Sequence, residues 1–295
     1  MDHVQHTVDV SQRRACRVLS QPRSTQRYCP RLADDEQALI ARMHQLVSRH
    51  PRYGYRRIWA LLRREGWRVN RKRIWRLWKR EGFKVPLKQR KKRRLGTSDN
   101  SCLRRSAQHK NEVWAWDFIY DRDTQGCSLK WLSLVDEYTR ECLLLEVDRS
   151  IKACDVVELV SEVMLIRGNP KYIRSDNGPE FIATALRKFL GSIHVDTLYV
   201  EPGSPWENGY AESFQSRLRD ELLNAEEFNG IRDAKALAAT WKNDYNHRRP
   251  HSSLGYQTPA EYAASLVDPP VGAAPLPADQ PAKNVLTLTL IETGT

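Results

Sequence analysis

Nowhere in the chain do about 18 uncharged apolar residues run together, so no segment matches a membrane-spanning helix. The N-terminus shows no basic-then-apolar stretch of the secretory kind. The six cysteines, at positions 16, 29, 102, 127, 142 and 154, include no Cys-x-x-Cys pair. That excludes a zinc ribbon and offers no disulfide framework; incidental or buried thiols in a reducing cytoplasm fit instead. No leucine-rich heptad run of zipper length occurs. Carboxylates are scarce in one part only. Residues 1–110 hold 30 Lys+Arg against 8 Asp+Glu, whereas residues 111–295 hold 18 against 28, within a net charge of +12 over 295 residues. A polyanion binder joined to an acidic body fits this division, and so would a solvated basic tail.

The basic third carries helical periodicity, which a tail would not. Leu39, Met43, Leu46 and Val47 lie on one helix face, preceded by Asp34 and Asp35 where carboxylates suit a helix start. After a break at SRHPRYG, Ile58, Leu61 and Leu62 repeat the pattern, and Gly66 marks its end. Asn70 then caps a third helix that buries Ile74, Leu77 and Trp78 and exposes Arg71, Lys72, Arg73, Arg76, Lys79 and Arg80. A helix, a short turn and a basic helix read as a helix-turn-helix, the basic helix lying in the major groove of DNA. A small helical bundle with a solvated face would look similar. Lys88, Arg90, Lys91, Lys92, Arg93 and Arg94 follow in a run broken only by Gln89. Such a run cannot pack in a core and is expected to track the DNA backbone as a linker.

The acidic part reads β-β-β-α-β-α-β-α: strands at EVWAWDFIY, LKWLSLVDEY, ECLLLEV, KYIRSD and VDTLYVEP, with helices after the third, fourth and fifth. The order predicts a mixed sheet, an antiparallel meander followed by parallel crossovers. Three carboxylates stand out in it. Asp117 interrupts the apolar first strand, Asp176 ends the fourth, and Glu212 lies in the last helix. A central first strand beside the fourth would bring Asp117 and Asp176 together, and a helix crossing that edge would add Glu212. Clustered carboxylates repel unless they share divalent cations, and hard oxygen ligands favour Mg2+ or Mn2+. Each acid also has a plain alternative, Asp176 as a turn former and Glu212 as an exposed helix residue. Asp117 is the hardest to explain away, because a charge inside WAWDFI is costly unless paired or liganding.

WAWDF (114–118), SDNGPEF (175–181) and PGSPWENGYAESF (202–214) resemble the integrase-type catalytic core of DDE recombinases. Thirty-five residues separate Asp176 from Glu212, the spacing of that family's signature, and Arg219 follows Glu212 by seven. With HPRYGYRRIWALLRREG and YNHRRPHSSLGYQTPAEY, the likeness is to insertion-sequence transposases, and among them to the product of the second of two overlapping frames (OrfB). It runs from about residue 10 to 265. The resemblance implies a ribonuclease-H-like fold, with Asp117, Asp176 and Glu212 as catalytic and metal-binding acids. Arg219 matches a DNA-contacting basic residue, and Asn177 and Gly178 shape the turn after the second acid. It further implies Mg2+ or Mn2+, two per site, and double-stranded DNA, both element ends and target, as partner. The complex on DNA would be a multimer, with a first-frame (OrfA) product or fusion as a further partner. A zinc module of the retroviral kind is not expected, since twelve residues separate Cys16 from Cys29.

The expected organisation is an N-terminal arm (1–33), a helix-turn-helix domain (34–86), a basic linker (87–110), an integrase-type core (111–265) and a flexible Pro/Ala-rich tail (266–295). The α/β core would follow an all-α module in a bacterial cytoplasmic, nucleoid-associated protein. YNHRRPHSSLGY is expected to close the core, with DNA contact by its His and Arg residues left open. Strand cleavage and 3′-hydroxyl strand transfer at element ends is the expected activity. A non-catalytic DNA-binding integrase fold and a ribonuclease-H-type nuclease are the alternatives.

Overall fold

A computed structural model describes Thr7 and residues 9–28, 34–85, 106–175, 184–199 and 208–266. Two short helices, α1 (Gln12–Val18) and α2 (Arg23–Gln26), stand in the stretch expected as an arm. Next come α3 (Glu36–Arg49), α4 (Tyr55–Arg64) and α5 (Arg71–Arg80). Their apolar faces meet in one cluster: Leu39, Met43 and Leu46 from α3, Ile58 and Leu62 from α4, Ile74, Leu77 and Trp78 from α5. The periodicity in the sequence is therefore that of a shared core. Gly66, at φ +90°, stands just beyond α4 in backbone that a side chain would strain. Asn70 starts α5 by accepting the Arg73 backbone N–H at 2.7 Å.

The second unit is a five-stranded sheet of order β3-β2-β1-β4-β5. Its strands are β1 (Val113–Arg122), β2 (Ser128–Asp136), β3 (Cys142–Asp148), β4 (Tyr172–Ser175) and β5 (Asp196–Tyr199). The first three form an antiparallel meander, and β4 and β5 add in parallel beside β1. This is the ribonuclease-H-like arrangement that the resemblance implies. Alternation divides the side chains between two cores. Trp114, Trp116, Leu132, Leu134 and Ile173 face α6 (Ala153–Arg167) and α7 (Thr184–Ser192). Ile119, Trp131, Val135, Leu145 and Val147 face α8 (Gly209–Leu218) and α9 (Ile231–His247).

The long α9 was not anticipated. It shields the edge strand β3: Asn246 accepts the Cys142 N–H at 2.8 Å and donates to the Cys142 carbonyl at 2.9 Å, and the Lys242 Nζ donates to the Leu143 carbonyl. After it, Thr258 and Glu261 form a capping box that opens α10 (Pro259–Ser265).

A buried ion cluster joins the helical module to the sheet unit. α8 runs directly into a π-helical turn, Arg219–Leu223, on which Glu221 projects away from the sheet. Its carboxylate accepts Arg249 Nε and Nη2, both at 2.7 Å, and Arg57 Nη1 of α4 at 3.1 Å. The Glu221 and Arg249 side chains are 7% and 4% exposed. Burial by itself would raise the Glu221 carboxyl, but the guanidiniums of Arg249 and Arg57 hold it below the usual range. Alongside, Arg52 pairs with Asp220 at 2.9 Å, and Arg64 donates to the Tyr256 carbonyl and to Glu261. Removing one partner of a buried pair leaves the others uncompensated. Glu221→Ala is accordingly expected to cost about 3–5 kcal/mol in urea unfolding. Arg80→Ala, at an exposed pair with Glu36, should leave the midpoint nearly unchanged.

Candidate active site

Asp117 lies in the middle of β1, on the face covered by α8 and α9, because Trp116 and Phe118 on either side point into the opposite core. It is half-buried, and its Oδ1 accepts the N–H of Phe118 at 2.8 Å. Directly across on β2 stands Ser133, whose hydroxyl donates to the Asp117 carbonyl at 3.1 Å. A small residue there leaves the carboxylate room that a Leu or Trp would fill.

Ala211, Phe214 and Leu218 turn α8 toward the sheet. Glu212 is exposed on one flank of that stripe. Gln215, three residues on and so on the same flank, donates from Nε2 to the Phe118 carbonyl at 3.4 Å. One hydrogen bond thus ties the Glu212 flank of α8 to β1 next to Asp117. Arg219, seven residues after Glu212, begins the π-helical turn and is exposed. Gln215 had no signal in the sequence; its role depends on where α8 crosses β1.

Asp176, with Asn177 and Gly178, lies outside the described residues, as do Lys88, Arg90, Lys91, Lys92, Arg93 and Arg94. The chain is described up to Ser175, the residue before Asp176, at the end of the strand that pairs with β1. Among the described residues no group of three His, Cys, Asp or Glu side chains could hold a metal ion. The donor set nevertheless suits a hard divalent cation: Asp117 and Glu212 offer carboxylate oxygens from one side of the sheet, and no thiol or imidazole competes within that pair.

On α5, Arg71, Lys72, Arg76, Lys79 and Arg80 are exposed as expected. Arg73 is a correction. It is half-buried and grips Asp35 with both Nη atoms, at 2.6 and 3.0 Å, fastening α5 to the start of α3. Its i+3 position from the cap turns it toward the neighbouring helix, where Asp35 takes the charge. Arg80 is likewise engaged, by Glu36 at 2.7 Å. The residues of YNHRRPHSSLGY divide by burial. Arg249 and His251 are buried, while His247 and Arg248 are exposed.

Comparison with known proteins places three models on the chain: an HTH-like domain over residues 34–93 and two integrase core domains over 107–205 and 193–259. The chain is 37% identical to the insertion element IS407 uncharacterized 31.7 kDa protein of Burkholderia multivorans, over 90% of this chain and 94% of that one. It is 29% identical to the transposase InsD of insertion element IS2 of Escherichia coli, over 77% and 79% of the two chains. The HTLV-2 integrase catalytic core domain in complex with magnesium superposes with a TM-score of 0.42 at 15% identity, over 52% of this chain and 96% of that one.

Beyond α9, His251 packs edge-on against Tyr245 and lies 3.3 Å from Arg249 Nη1, a donor, so its Nε2 accepts. Burial and the guanidiniums of Arg249 and Arg57 push this imidazole down to about 2. Above about pH 6.5 it is neutral folded and unfolded alike. Below that, the unfolded chain binds a proton that the folded chain refuses, and stability falls with pH. Urea unfolding at pH 7.5 and pH 5 should therefore show a loss for the wild type roughly 2 kcal/mol larger than for His251→Asn.

Proposed function

Because the chain belongs to the insertion-sequence transposases with an integrase-type core, we propose that it cleaves DNA at the ends of an insertion element and transfers the resulting 3′ hydroxyl to a second DNA strand. Asp117, Asp176 and Glu212 are the catalytic acids of this reading. The observation that carries it is a register. β1 and β4 pair in parallel with a constant offset of 59, Val113 with Tyr172, Trp114 with Ile173 and Ala115 with Arg174. Asp117 stands two residues beyond the last of these pairs on β1, and this reading takes Asp176, two residues beyond Arg174 in the sequence, as its partner acid, with Glu212 of α8 as the third.

In the first step water attacks a phosphorus, the P–O3′ bond breaks, and a 3′ hydroxyl and a 5′ phosphate result. In the second, that 3′ hydroxyl attacks a target phosphorus and the 3′ oxygen there leaves, taking up the proton. No oxidant or high-energy cofactor is needed. Two Mg2+ or Mn2+ ions bound by the three acids would supply activation of the attacking oxygen and charge neutralisation at the leaving one. Asp117, Asp176 and Glu212 would hold the ions through their carboxylate oxygens, Arg219 on the Glu212 flank would pair with backbone phosphate, and the exposed cations of α5 would contact duplex in the major groove. The basic run at 88–94 extends that contact. Joining two element ends calls for a multimer on DNA, with a first-frame product as a further partner. Among the described residues no helix is long and apolar enough to cross a membrane.

The test is purified protein with labelled element-end DNA and Mg2+ or Mn2+. Joined products are expected. Hydrolysed RNA–DNA hybrid would favour the nuclease, and a shifted but uncut band the binder. Asp117→Asn, Asp176→Asn and Glu212→Gln should each lower joining by at least about a hundredfold while leaving the DNA shift intact. Undiminished joining by any one of them removes that residue from the site.

A further inference from the structure

A second cleft, of about 210 Å³, opens at the seam between the helical module and the sheet unit, across α8 from Glu212. The helix separates the two sites by its periodicity. Glu212, Gln215 and Arg219 follow one flank, while Tyr210, Ser213 and Arg217 follow the other and line the cleft. The remaining walls come from α4 through Arg57, from the β2–β3 turn through Arg140, and from Ser252 and Ser253 beyond α9. Among the described residues no carboxylate lines it.

The charge of the described lining is positive. Glu221, behind the wall, is one carboxylate shared between two guanidiniums, those of Arg57 and Arg249. Arg217 is half-buried, and the carboxylate it acts on, Glu221, is already bonded to Arg57 and Arg249. Arg140 lies flat against Tyr210, 3.6 Å from the ring centroid, which fixes the direction of its guanidinium. His251, on the same wall, responds to the field: Arg249, Arg57 and Arg217 all act to keep it neutral. Guanidiniums with three serine hydroxyls make a donor-rich, acceptor-poor lining, the chemistry that takes a phosphate oxygen.

We propose that this cleft seats a backbone phosphate of bound DNA, with Arg217 as its principal ligand and Ser213, Ser252 and Ser253 as hydroxyl donors. The inference rests on the transposase reading only for the identity of the polyanion. A projecting phosphodiester suits the space better than a free nucleotide, since the volume falls below the roughly 300 Å³ at which pockets for whole small molecules begin. The seam position adds a further reason. DNA held by α5 and DNA held at Asp117 belong to different units, and a phosphate seated between them fixes the path from one to the other.

The experiment is duplex binding by the full chain across a salt series. Arg217→Gln should reduce the slope of log K against log salt by about 0.9, the value for one phosphate contact, and Arg217→Lys should keep it. An Arg217→Gln slope equal to the wild type overturns the proposal. Arg217 makes no ion pair at salt-bridge distance among the described residues, so its variants should stay folded, and a melting curve of each accompanies the series. Inorganic phosphate and ATP serve as the second arm. If either raises the wild-type melting temperature through Arg217 while the DNA slope stays unchanged, the cleft is a free-anion site and the DNA assignment falls. Neither arm uses strand transfer, so a chain that binds with the expected slope but joins nothing would refute the transposase reading and leave the phosphate seat standing.

Discussion

The parallel pairing of β1 with β4 is the constraint on which the site depends. β1 is bonded on both edges, to β2 in antiparallel and to β4 in parallel register. A strand held on both sides cannot slip by one residue without turning Trp114 and Trp116 out of one core and Ile119 out of the other. Asp117 is therefore locked to one face by apolar residues that have no chemistry of their own. Arg174, one residue before the end of β4, pairs with Ala115 in the same register, and Gln215 completes the frame by tying α8 to the Phe118 carbonyl.

The helical module is built into this frame and not merely tethered to it. Arg52, Arg57 and Arg64 project from one side of the module, and each finds a carboxylate or carbonyl of the sheet unit. Glu221 is central because three segments meet on one carboxylate: α4, the π-helical turn and the stretch after α9. A π-helical turn widens the helix by one residue, so the residues after Leu218 face differently from those before it. That change of phase lets Leu222 remain in the core while Glu221 faces the module. Arginine suits the place, since a planar fork matches a carboxylate with two parallel bonds.

Much of this was legible in the sequence. The three helices of the module, the five strands and their order follow from periods of 3.6 and 2 that a shared core imposes, and Asn70 and Gly66 mark helix boundaries as such residues do. Asp117 was conspicuous because it breaks an apolar strand. α9 was not legible: its buried residues are the small Ala234 and Ala238 with Tyr245, too weak an apolar stripe to announce a 17-residue helix. Arg73 looked like its neighbours on α5, yet the packing of α5 against α3 gives it to Asp35.

By itself the sequence determined the three helices of the module and the five strands, where charge of each sign accumulates, and that Asp117 stands within a strand, because these depend on neighbours a few residues away. Only the tertiary structure decided which arginines are spent on internal carboxylates and which stay available. Arg249 and Arg217 are both arginines of the acidic part; one is buried against Glu221 and the other opens into a cleft. The difference arises from partners more than 25 residues away in the chain, brought within 3 Å by packing that no local pattern encodes.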